Sequence, residues 1–139
     1  MKISKNFHDY EFKNIKPDLN LLTLLQATRD AIDCPIQITD STRTIQDHIA
    51  IYKKIYKDDW FEKIPWGSRH LPCWETPNLR AVDIKAKKKD GSYWKGPILA
   101  EAVKEEAKAL NIHIGLGVGK EFLHVDVDRK QFTTWNYDY

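Results

Sequence analysis

Residues 79–86 read LRAVDIKA, and residues 121–128 read EFLHVDVD. Both alternate. In the first, Val82 and Ile84 share one side, and Ala81, Asp83 and Lys85 share the other. In the second, Leu123, Val125 and Val127 alternate with His124 and Asp126. Successive side chains of a strand leave opposite faces, so each segment predicts a strand with an apolar face turned to a core. The opposite face carries Asp83, His124 and Asp126. That face is where chemistry is to be sought.

The segments around these strands predict helices. KPDLNLLTLLQATRDAIDCP (16–35) has Pro17 and Asp18 as a start signal, and Leu21, Leu22, Leu24, Leu25 and Ile32 as its apolar positions. It predicts an amphipathic helix ending before Pro35. PIQITDSTRT (35–44) predicts a short strand running into a polar turn. TIQDHIAIYKKIYKDD (44–59) places Ile45, Ile49, Tyr52 and Tyr56 on one helical face. WFEKIPWGS (60–68) is an aromatic loop broken by Pro65 and Gly67. KKDGSYWKG (88–96) carries an Asp-Gly turn, and Pro97 opens a helix with a stripe of Ile98, Leu99, Ala102, Val103 and Leu110. HIGLGVG (113–119) predicts another strand, with His113 as a packed core residue. No helix follows GLGVG, so it is no dinucleotide loop. Without a βαβ rhythm or an internal repeat, the expected class is α+β: one domain over residues 1–139, a small antiparallel sheet with flanking helices.

Composition sets bounds. The chain has 139 residues, enough for one domain with a core and too few for two. A 42% hydrophobic and 12% aromatic content is that of a folded globule. The net charge of +2 implies no strong polyanion partner, and KAKKKDG (85–91) reads as a solvated turn. The helix 44–59 offsets its lysines with acids and has no turn-helix signature after it, so nucleic acid is not an expected partner. Two cysteines, Cys34 and Cys73, make no disulfide framework. Cys34 reads as a small core residue. MKISKNFHDYEF lacks the apolar stretch of a secretory signal, and no segment is long enough to span a membrane. The expectation is therefore synthesis in the cytoplasm and no membrane insertion, with a monomer as the expected state.

A catalytic zinc site needs three protein ligands and one open position. Neutral imidazole and carboxylate are suitable donors. Asp83 and His124 on strands, joined by His70 from the preceding loop, meet that demand. Cys73, three residues after His70, is an alternative ligand for a closed structural site. His8 and His48 read as exposed or hydrogen-bonded. Trp60, Trp66, Trp94 and Trp135 read as core or rim packing rather than ligand contacts.

SRHL (68–71) followed by NLRAVDI (78–84) resembles the Ser-x-His-x-x-Gly-x-Ala-x-Asp signature of the zinc D-alanyl-D-alanine carboxypeptidases and their relatives. Those relatives include phage L-alanyl-D-glutamate endolysins and vancomycin-resistance D,D-dipeptidases, which share the Hedgehog/DD-peptidase fold. EFLHVD resembles the second half of the same site, ITDSTRT (38–44) the segment delivering the family's arginine, and SKNFHDYEF (4–12) the opening of many members. The resemblance implies one Zn2+ per chain held by His70, Asp83 and His124. It implies Glu121 as the base, Arg43 as the cation for a substrate carboxylate or oxyanion, and Ser68 as a substrate-binding residue. The implied substrate is the peptide stem of peptidoglycan, cut as a carboxypeptidase or an endolysin-type endopeptidase. A non-catalytic zinc-containing binding module of the same fold is the alternative.

Two departures from the pattern matter. An insertion, PCWETP (72–77), separates the half-motifs, with Trp74 and Glu75 as possible cleft residues, and Asn78 stands in place of the family's glycine. Parity also sets a rival base against Glu121. If 121–127 were one regular strand, Glu121 would point away from His124, and Asp126 would share its face, as base or as orienting partner. A turn or bulge after GLGVGK would restore the aim of Glu121. Action on the cell wall by a chain without a signal fits a phage or prophage origin.

Overall fold

The computed structural model describes residues 1–41, 45–65, 68–70 and 78–139, with Ile45 described by its backbone alone. Asp18 starts the first helix, α1 (Leu19–Ile32), by accepting the amide N–H of Asn20 at 2.8 Å. That satisfies one of the donors every helix start leaves without a partner. The helix ends at Asp33, whose φ of 50° turns the chain before Pro35. The remaining elements are β1 (Ile36–Asp40), α2 (Ile45–Tyr56), the short α3 (Trp60–Lys63), β2 (Ala81–Ala86), α4 (Gly96–Leu110), β3 (Gly115–Val118), β4 (Leu123–Asp126) and β5 (Thr133–Asn136).

The strands form one sheet in the order β1-β2-β4-β3-β5. The first four pair antiparallel. β5 adds to β3 in parallel, so the expected antiparallel sheet gains a parallel edge strand from TTWN. That segment has no apolar alternation to announce it. The architecture is α+β, as the mixed element order implied.

One face of the sheet is apolar. Val82 and Ile84 of β2, Leu116 of β3, and Leu123 and Val125 of β4 are buried in one cluster with Leu21, Leu24 and Leu25 of α1 and Leu99 and Val103 of α4. Each such side chain withdrawn from water contributes about 1.5–3 kcal/mol. The sequence misplaced part of the α4 stripe. The buried positions are Gly96, Leu99, Ala100, Val103 and Ala107, while Ile98 and Leu110 are exposed. The helix is rotated because Gly96 must face the β3–β4 hairpin: its N–H donates to the Lys120 carbonyl at 2.8 Å. His113 is exposed and precedes β3 instead of packing within it, and Cys34 is only partly buried. None of the described helices is long and apolar enough to cross a membrane.

A methyl group built on Gly96 would collide with the backbone carbonyl of Gly119. Backbone cannot step aside as a side chain can, so Gly96→Ala must push α4 from the hairpin. The expected cost is about 1–3 kcal/mol, read as a lower urea midpoint. Gly91→Ala has open space around it and only its φ of 90° to strain it, so it should cost less.

Candidate metal centre

The polar face of the sheet is organised in cross-strand rows. Asp83 lies directly opposite His124, His124 opposite Gly117, and Gly117 opposite Trp135. Directly opposed residues of a sheet share a face. The next row sets Asp126 opposite Gly115. Each glycine makes room. A side chain at Gly115 would strike Asp126 and Arg129, one at Gly117 would strike Trp135 and Tyr137, and one at Gly119 would strike the Phe122 ring.

His70 reaches this face from the loop before β2. A chain of hydrogen bonds holds the loop. Buried His48 of α2 meets the Pro65 carbonyl at 2.9 Å, that carbonyl also accepts the Ser68 N–H, and Ser68 Oγ accepts the His70 N–H at 3.3 Å. Arg69 clamps the loop to the end of β4, donating to the carbonyls of Val127 (3.1 Å) and Asp128 (3.2 Å). His48 is thus both buried and hydrogen-bonded. Ser68 lines the cleft and steadies the backbone of His70.

His70 Nε2, His124 Nδ1 and Asp83 Oδ1 form a triangle with sides of 3.2, 3.1 and 3.5 Å. His70 Nδ1 lies 2.5 Å from the Ser41 carbonyl, which can only accept, so this nitrogen carries the proton. His124 Nε2 lies 2.7 Å from the Asp126 carboxylate, which likewise accepts. With both rings neutral and protonated on the outside, the inner nitrogens present lone pairs to each other and to Asp83, and a cation among the three acceptors would relieve their repulsion. Donors on a tetrahedral ion with bonds of about 2.0–2.1 Å stand about 3.3–3.4 Å apart. The triangle has that size, and the donor set of two imidazoles and one carboxylate suits a divalent metal. His70, Asp83 and His124 can therefore hold a metal ion.

The supporting residues are charged in the sense this requires. Burial opposes ionisation of Asp126, but its hydrogen bonds with Arg129 and His124 outweigh burial and hold its carboxyl down at about 2. Arg129 donates through Nε to one oxygen and through Nη2 (2.7 Å) to the other. Burial also opposes the charge of Asp83, yet its contacts with His124 and His70 keep it well below the usual carboxylate range. Burial disfavours protonated His124, while Asp126 and Asp83 favour it more, so its pKa is raised.

The two proposed bases separate. Glu121 sits in the turn between β3 and β4, outside the strand, and pairs with Lys95 at 3.2 Å. It borders a second groove with Lys85 and Lys120. The structure does not bring it to the triangle. Asp126 is at the triangle, behind His124. Arg43, Cys73, Trp66 and the insertion 72–77 lie outside the described residues. The cleft over the triangle has a volume of about 500 Å³, with Tyr52 of α2 on one side and Phe122, Trp135, Tyr137 and Tyr139 on the other. Sequence reasoning missed this aromatic wall. The spacing in WNYDY, aromatic at every second residue, was the signal.

No protein-family model matches this sequence, and no curated protein does. The fold is matched by the crystal structure of the Serratia marcescens L-Ala D-Glu endopeptidase ChiX, with a TM-score of 0.55 over 88% of this chain and 91% of that one. Identity is 16%, so the likeness is one of fold.

Removing the carboxylate behind His124 should loosen the metal site. Asp126→Asn should weaken metal binding about 10–100-fold in competition with a chromophoric chelator. It should also change acid stability. The carboxyl of Asp126 titrates lower in the folded chain than in the unfolded one, so its contribution is complete above the ordinary carboxylate pKa. It is lost as pH falls toward the folded value of about 2. Between pH 5 and pH 2, urea unfolding of metal-free protein should show a loss about 2 kcal/mol larger than in the variant.

Proposed function

We propose that the chain is a zinc-dependent peptidase that hydrolyses the stem peptides of peptidoglycan. The observation that carries this reading is the triangle of inward lone pairs from His70, Asp83 and His124. It stands in a fold shared with the Serratia marcescens L-Ala D-Glu endopeptidase ChiX. When bound by these three residues, zinc would bring the pKa of a water toward neutrality and polarise a carbonyl.

The chain's own groups would do the rest. Ser41 and Asp126 fix the tautomers of His70 and His124, so neither ring must reorient during turnover. Arg129 balances the charge of Asp126 and keeps it from acting elsewhere. Trp135 packs on His124 with ring centroids 5.2 Å apart and shields that side of the site from water. Tyr137 lies beside Trp135, with ring centroids 6.5 Å apart, and lines the cleft, where its phenol can donate to negative charge as it develops. Arg43 keeps its assignment as the cation for a substrate carboxylate.

Glu121 keeps its assignment as proton acceptor, three residues before His124. Its pair with Lys95 is exposed, and exposed pairs of this kind are weak tethers. The same pair favours the second reading, a metal-containing binding module that does not cut. Among the described residues lining the cleft, the carboxylates are Asp83 and Asp126, and both are committed to the imidazoles.

Zinc-loaded protein incubated with purified muropeptides should release new amino groups, and a chelator should stop the release. Glu121→Gln should retain zinc and lose about 10²–10⁴-fold in rate. Intact stem peptides after exposure to fully loaded wild-type protein would leave the binding module as the surviving reading.

A further inference from the structure

Two guanidiniums line the cleft over the triangle, Arg69 and Arg129, and they are employed differently. Arg129 is committed. Its Nε and Nη2 donate to the two oxygens of Asp126, which also accepts from His124, and its Cζ lies 5.3 Å from the centre of the Trp135 ring. Arg69 has neutral partners instead. Its Nε donates to the Val127 carbonyl at 3.1 Å and its Nη2 to the Asp128 carbonyl at 3.2 Å. The carboxylate of Asp128 is turned to Arg80, at 3.4 Å. The acids next to Arg69 thus serve other cations, and among the described residues none forms an ion pair with it.

A guanidinium keeps its charge and offers its N–H donors as a rigid fork. Two carbonyls fix the orientation of Arg69 but leave its charge without a counter-ion. In a partly buried position that is unfavourable, and an anion entering the cleft would relieve it. The charge of the cleft points the same way. Among the described side chains that line it, the carboxylates of Asp83 and Asp126 are matched by the guanidiniums of Arg69 and Arg129. A divalent ion on the triangle would leave positive charge in excess. A planar carboxylate fits the fork, whereas an apolar or cationic group leaves it unpaired. Arg69 directly precedes His70, so a group held by Arg69 stands beside the metal centre.

We propose that Arg69 is a specificity-determining residue that holds a carboxylate of the substrate beside the metal triangle, separate from the carboxylate assigned to Arg43. The preferred substrate is then a stem peptide with that carboxyl group free, and its carboxamide is discriminated against. The choice of a stem peptide rests on the peptidase reading; the choice of an anion rests on the partners of Arg69.

Two measurements test it. First, the protein is titrated by calorimetry without metal, so that no carboxylate binds an ion directly. The ligands are the peptide L-Ala-γ-D-Glu-L-Lys and its two singly amidated forms, one at the glutamyl α-carboxyl and one at the C-terminus. At least one amide should bind wild type about tenfold more weakly than the free acid. Arg69→Gln should erase the preference against one amide, and Arg69→Lys, which keeps the charge without the fork, should recover part of it. A mere loosening of the loop would weaken all three peptides alike and leave the preference in place. Equal binding of the three peptides by wild type, or a preference that survives in Arg69→Gln, overturns the assignment. Second, zinc-loaded protein is compared on the same peptides. The disfavoured amide should have the higher KM in wild type and an equal KM in Arg69→Gln. A preference that depends on Arg69, in a protein that cuts none of the peptides, sustains the carboxylate site and removes the peptidase reading. Cleavage of all three with equal KM does the reverse.

Discussion

Two protons fixed on the outside of two imidazoles govern this structure. The Ser41 carbonyl holds one on His70, and the Asp126 carboxylate holds the other on His124. Neither partner can donate, so the outer nitrogen of each ring carries a proton. The inner nitrogens stand 3.2 Å apart, facing a carboxylate that burial cannot neutralise. A divalent cation at the centre would relieve the repulsion among these acceptors, and the hydrogen bonds around the site aim them at it.

Most of the sheet's polar face serves that arrangement. Opposed positions on β2 and β4 bring Asp83 and His124 together without any loop to aim them. The glycines of β3, and Gly119 just after it, then empty the space beside them. Gly115 admits the Asp126–Arg129 pair, Gly117 admits Trp135, and Gly119 admits Phe122. A single strand stripped of side chains on one face thus builds both the support behind the His70–Asp83–His124 cluster and the aromatic wall beside it. Gly96 extends the logic to α4, whose first turn touches the same hairpin. The helical core on the other face explains why so much of this face can be given to function. Stability comes from the buried leucines, valines and isoleucines there.

The sequence made the strands of the site legible because their alternation is strict. LRAVDIKA and EFLHVDVD have a period of two, and the faces they assign to Asp83, His124 and Asp126 are those observed. The start of α1 was legible for a similar reason: Asp18 has one obvious use. What escaped was decided by contacts distant in the sequence. α4 has apolar residues all around, so periodicity could not choose between Ile98 and Ala107, and a contact at Gly96 decided it. β5 pairs through its backbone with a distant strand, and its alternating Trp135, Tyr137 and Tyr139 look like a polar tail until β3 is beside them. The aim of Glu121 depends on the geometry of the turn between Val118 and Leu123, which no pattern of residue types encodes.

The most direct test is the ligand set of the ion itself. Zinc-edge X-ray absorption on protein loaded with one equivalent of zinc should show nitrogen and oxygen donors at about 2.0–2.1 Å, with the outer-shell scattering of two imidazoles. A sulfur donor at about 2.3 Å, or a first shell without imidazole, would contradict it.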